Sequence, residues 1–192
     1  MMLRMLGTLG VFAICSFIIL LFIVGIIAFF YNKFVTLRNR VENGWAQIDV
    51  QLKKRFDLVP NLVNTVKGYA KHEKGIFEEV ARLRSAISNA KNREEYAEAN
   101  NQLTNTLKTL FAVAENYPDL KANENFMQLQ SELSNIEGKI AYSRQFYNDT
   151  VYMFNTEIQK FPGVIFAKVF GFKEQVYFKV TEEEKENVNV SF

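Results

Sequence analysis

Between Arg4 and Lys33 the chain carries no charged side chain: MLGTLGVFAICSFIILLFIVGIIAFFYN, 28 consecutive positions. As a helix this run is about 42 Å long at about 1.5 Å per residue, more than the roughly 30 Å hydrocarbon core of a bilayer. A cleaved signal peptide has a shorter apolar region and a small-x-small site before a polar mature chain. Here the run ends in Phe29, Phe30 and Tyr31, aromatic residues suited to a membrane interface. The spacing therefore predicts a single-pass transmembrane helix within residues 1–32. On the flanks, Arg4 and the α-amine face Lys33, Arg38 and Arg40. The positive-inside rule leans by one charge to a cytoplasmic C-terminal domain, and both orientations stay open.

Beyond the anchor, apolar residues keep one helical stripe: Val41, Trp45, Ile48, Leu52, Phe56, Val59, Val63, Val66 and Ala70. Steps of three and four residues place these on one face over about eight turns. Pro60 falls inside the stripe, where proline removes a donor and crowds the preceding turn at about 3 kcal/mol. A loop would reset the phase, and the phase is kept on both sides. The expectation is one continuous helix bent at Pro60; the alternative is a fresh helix capped by Asp57.

Three further runs follow. Ile76, Val80, Leu83 and Ile87 form a short one, ending around Asn89–Asn92. Tyr96, Ala99, Leu103, Leu107, Leu110, Ala114 and Tyr117 form a second, which Pro118 closes. The longest extends from Phe126 to Phe161, started by Asn123 or Asp119 and ended by Pro162-Gly163. One-faced helices with short connections bury their stripes against each other. The fold class expected is all-α: an antiparallel four-helix bundle with long helices over residues 33–161, preceded by the transmembrane helix. An aromatic-rich segment follows over 162–180 and a polar acidic tail over 181–192.

Composition narrows the function classes. A net charge of +2 gives no field directed at nucleic acid. The single cysteine, Cys15, excludes a disulfide framework and a thiolate metal site. The only histidine, His72, lies in HEKGI, which lacks the second histidine of H-E-x-x-H. No phosphate loop or nucleophile elbow is present. Adjacent acids such as Glu78/Glu79 and Glu94/Glu95 point to different sides of a helix. No catalytic, cofactor-binding or metal-binding residues are assigned, and an enzyme is not expected.

The candidate positions are structural. Asn61 and Asn64 lie one turn apart just after Pro60, while Asn148 and Asn155 share a face of the last long helix, with Arg144 just before them. Asparagine is costly to bury unpaired. These residues either flank the core or make interhelical or intersubunit hydrogen bonds that set register. Residues 161–180 hold five of the thirteen phenylalanines outside the anchor, among them Phe166, Phe170 and Phe172. Such density needs cover. The segment folds over its own bundle, docks on a neighbouring subunit, or lies at a membrane surface with Lys168, Lys173 and Lys179 at the headgroups.

RFDLVPNLVNTVKGYAKHEKGIFEEV (55–80), NENFMQLQSELSNIEGKIAYSRQFYND (123–149) and FPGVIFAKVFGF (161–172) closely resemble the LemA family. The stretch RSAISNAKN (84–92) carries no signature of it. The resemblance implies a bacterial protein of the cytoplasmic membrane with one N-terminal transmembrane helix and a helical-bundle domain. It implies no established enzymatic activity and no cofactor, and it includes a magnetosome-associated relative implicated in membrane invagination. The expected partners are the lipid bilayer, further copies of the chain and a membrane or envelope protein, with no nucleic acid.

Overall fold

The computed structural model describes residues 2–178, with side chains from residue 14 onward. The acidic tail expected over 181–192 and Lys179 lie outside the described residues. Among the described residues there are six helices: α1 (Met2–Tyr69), α2 (Lys74–Asn89), α3 (Arg93–Ala114), α4 (Pro118–Lys121), α5 (Glu124–Gln159) and α6 (Gly163–Phe170). Among the described residues there is no strand.

α1 runs through Pro60 without a break. The intact phase of the stripe explains this: Leu52, Val59, Val63, Val66 and Ala70 are all buried, so burial along one face outweighs the missing donor. The other helix ends follow local chemistry. Asn92 accepts the Glu95 amide at 2.8 Å and the Glu95 carboxylate accepts the Lys91 amide at 2.9 Å, a reciprocal cap that starts α3. α3 ends at Ala114, three residues short of the Tyr117 expected from the sequence, and Pro118 opens α4 at its first position, where no donor is needed. Asn123 Oδ1 accepts the Phe126 amide at 3.0 Å and starts α5. α6 ends at Gly171, whose φ of 71° is a left-handed conformation that favours glycine. The Phe172 amide then reaches back to the Ala167 carbonyl at 2.9 Å.

The chain divides into two compact units. Described residues of the first fall within Met1–Asn43 and Asp149–Val176, and those of the second within Gly44–Asn148 and Tyr177–Phe192.

In the first unit, the apolar part of α1 is long and apolar enough to cross a membrane. Its side chains from Ile14 to Val24 are open on every side, with Phe22 at 70% exposure. Further along, Phe34, Leu37 and Val41 are buried, as are Val151, Phe154 and Ile158 of α5 and Ala167 of α6. Lys33 donates to Glu157 at 2.6 Å, and this hydrogen bond holds the Glu157 carboxyl below the usual range. Gly163 lies where a Cβ would sit 2.5 Å from the Glu157 carbonyl oxygen and 3.3 Å from the Phe34 ring, so only a hydrogen atom fits.

In the second unit, one apolar cluster runs from Val59 and Leu62 through Leu83, Leu103 and Leu110 to Phe126 and Leu133. Each such side chain contributes about 1.5–3 kcal/mol relative to exposure. Contacts between α1 and α5 pair Trp45 with Tyr147, Arg55 with Glu137 and Tyr69 with Asn123. Numbers rise along α1 as they fall along α5.

Candidate functional site

Arg55 is fully buried, an unusual place for a guanidinium. It occupies the 3/4 spacing of Leu52, Val59 and Leu62 on α1, so its backbone position aims it into the second unit's core. Its two terminal nitrogens are both used. Nη1 donates to Thr104 Oγ1 at 2.5 Å and Glu137 Oε1 at 2.6 Å; Nη2 donates to the Asn100 carbonyl and Oδ1, both at 2.9 Å. Asn100 Nδ2 in turn donates to the Tyr96 carbonyl at 2.8 Å. One cation thus ties α1 to α3 and α5. Nε is buried and has no hydrogen-bond partner, a cost accepted where the fork is otherwise saturated.

Tyr96 borders this network. Burial, then a hydrogen bond to Asp49, pushes its phenol up to about 12. A raised folded-state value means the stabilisation is fully present below about 10 and is lost as pH rises through about 12. In an absorbance titration of the eight tyrosines, the latest component is expected to vanish in Tyr96→Phe. An unchanged curve would place Tyr96 in an ordinary environment.

Beside the network a groove of about 580 Å³ opens, lined by Thr104, Lys108 and Phe111 of α3 and by Ser134, Glu137 and Arg144 of α5. It brings cationic, anionic and aromatic side chains to one surface. Among the described residues no cluster of histidine, cysteine or acidic side chains is placed to hold a metal ion.

Asn148 and Asn155 bond to backbone, not to a facing helix. In the second unit, Asn148 Nδ2 donates to the Phe178 carbonyl at 3.1 Å while its Oδ1 accepts the Phe178 amide at 2.8 Å. In the first, Asn155 makes the same pair with Gln175, at 2.9 and 2.8 Å. Arg144 donates to Asn101 Oδ1 at 2.6 Å and lies 4.6 Å over the Phe178 ring.

The aromatic candidates meet their own chain. Phe166 stacks on Phe30 at 4.9 Å, Phe170 meets Tyr31 at 5.1 Å, and Phe172 meets Phe34 at 5.3 Å beneath Arg38. Pro60 is half-buried within α1, and Asn61 and Asn64 are exposed. Sequence reasoning passed over Arg55, Asn100, Thr104 and Glu137. The available signal was polar residues at 3/4 spacing inside apolar stripes.

Residues 44–192 match the model of a family described as the LemA family. The chain is 27% identical over 182 residues to Protein LemA of Metamycoplasma hominis, covering 91% of this chain and 83% of that one. It is 26% identical over 175 residues to Magnetosome protein MamQ 2 of Paramagnetospirillum magneticum, covering 78% of this chain and 64% of that one. Magnetosome protein MamQ of Magnetospirillum gryphiswaldense is similar at 25% identity over 174 residues, with 77% and 64% covered. The chain therefore spans less than two thirds of the length of these magnetosome relatives.

Proposed function

The chain belongs to the LemA family, and from that premise we propose that it is a non-enzymatic scaffold that self-assembles and organises or shapes the bacterial cytoplasmic membrane. It is a membrane-associated helical protein. The finer architecture is an antiparallel four-helix domain over residues 33–161, supported by the opposed numbering of the α1 and α5 contacts. The similarity to proteins named as magnetosome proteins adds to the same reading.

The observation that carries it is a pair of aromatic side chains one turn apart on α5, Tyr142 at 71% and Phe146 at 38% exposure. Neighbouring exposed aromatics outside the anchor mark an interaction surface and are favoured in interface cores. The full chain, extracted in mild detergent, is expected to show a protein mass by light scattering that is a multiple of 22.2 kDa. Tyr142→Ser with Phe146→Ser is expected to shift that mass towards a single chain. A wild-type protein of single-chain mass would sink the self-assembly reading. The groove beside Glu137 favours a second reading, an adaptor that binds another membrane or envelope protein. A wild-type chain that stays single, and a Lys108→Glu variant that loses such a partner, would support that alternative.

A further inference from the structure

We propose that α6 is a second lipid-contacting element, a short interfacial helix that lays Ile165 and Val169, with Phe161 just before it, into the headgroup–acyl boundary beside the end of the anchor. The proposal rests on the reading of the apolar part of α1 as a membrane anchor and adds a second membrane-contacting site to it.

The helix is inverted relative to a soluble amphipathic one. Its small residues Gly163 and Ala167 are buried, with Gly163 set against the Glu157 carbonyl and the Phe34 ring. Ile165 and Val169, four residues apart on α6, are left at 51% and 72% exposure, and Phe161, two residues before the helix, at 82%. A helix in water turns its apolar stripe inward. Here packing has claimed the small residues and the apolar row faces out.

Its level is fixed by the anchor. Phe166 stacks on Phe30 and Phe170 meets Tyr31, and these partners lie in the last turn before Lys33, the first charge after the apolar run. Tyrosine gathers at that depth because its ring is amphipathic, and Tyr31 is the partner that marks the level. Phe29 and Tyr31 are themselves 61% and 45% exposed. The surface of α6 therefore continues the surface that the lipid already wets, and this favours the bilayer over a second copy as its occupant. Lys168 is exposed within the same helix and Lys173 just after it; long cationic side chains at this level extend to the headgroups. Glu174, the nearby acid, is held by Gln159 at 2.8 Å.

The test uses the full chain in vesicles of phosphatidylcholine and phosphatidylglycerol, with an environment-sensitive fluorophore on one cysteine at a time. The sites are native Cys15 and, in a Cys15→Ser background, Val169→Cys, Ile165→Cys and, as an exposed reference on α2, Ser88→Cys. Labels at 165 and 169 are expected to emit to the blue of the label at 88. Lipids with a nitroxide near the headgroup are expected to quench them several-fold more strongly. If both labels are as accessible to aqueous iodide as the one at 88, the proposal falls. It also falls if both are shielded from iodide and from lipid nitroxide while self-quenching grows with protein-to-lipid ratio, since a second copy then covers the face. Cys15 reports separately: strong quenching by a deep nitroxide upholds the anchor whatever α6 does, and its loss overturns the anchor itself.

Discussion

Replacing Arg55 by leucine is expected to cost the folded chain about 3 kcal/mol and to lower its melting temperature by on the order of 10 °C. The substitution removes one side of the network and leaves the other in place. Asn100 and Thr104 are buried and lose a charged donor, and Glu137 loses the cation beside it. Leucine fills part of the space but donates nothing. Arg55→Lys is expected to recover less than half of the loss, because a single ammonium cannot reach Thr104, Glu137 and both Asn100 oxygens from one position. Glu137→Gln is the milder control: its side chain is 34% exposed, so solvent screens the lost charge. Helical ellipticity followed on heating in detergent reads all three. A leucine variant that melts within about 2 °C of wild type would mean the buried guanidinium contributes little.

Asn155→Ala and Asn148→Ala are expected to release the segment that follows α6. Each asparagine makes two bonds to main chain, one as donor and one as acceptor. At about 1 kcal/mol per bond, each loss is about 2 kcal/mol, or roughly thirtyfold in the local opening equilibrium. Hydrogen exchange at the Gln175 amide should accelerate by that factor in Asn155→Ala, and at the Phe178 amide in Asn148→Ala. Asn155→Asp retains the acceptor and sets a negative charge against the Gln175 carbonyl, so it should exchange at least as fast as the alanine variant. Unchanged exchange at both amides would show that other contacts hold the segment.

The contrast between these residues explains what the sequence displays. A helix stripe is written in the residues that form it, so α1 was legible through Pro60, and Asn123 was one of two starts open for α5. α6 was harder: eight residues with a glycine at the front and apolar side chains almost throughout give no clear period. Arg55 was hidden in plain charge, because LKKRF reads as a solvated run and the partners that bury the arginine stand 45–82 residues away. The positions of Asn148 and Asn155 drew notice by their spacing. Their partners did not, since a main-chain amide looks alike at every residue. Tertiary contacts of that kind become visible only when the chain is folded.

The two asparagine clamps also set what can change by drift in this part of the chain. They grip the peptide group, which nineteen of the twenty residue types present in full, and ignore the side chain attached to it. Gln175 is therefore free to vary in kind, while proline alone is barred there because it has no N–H to give. Position 178 adds a second demand, since the Phe178 ring lies against Trp45. The grip on this segment therefore rests on the two asparagine side chains, whatever side chain stands at position 175.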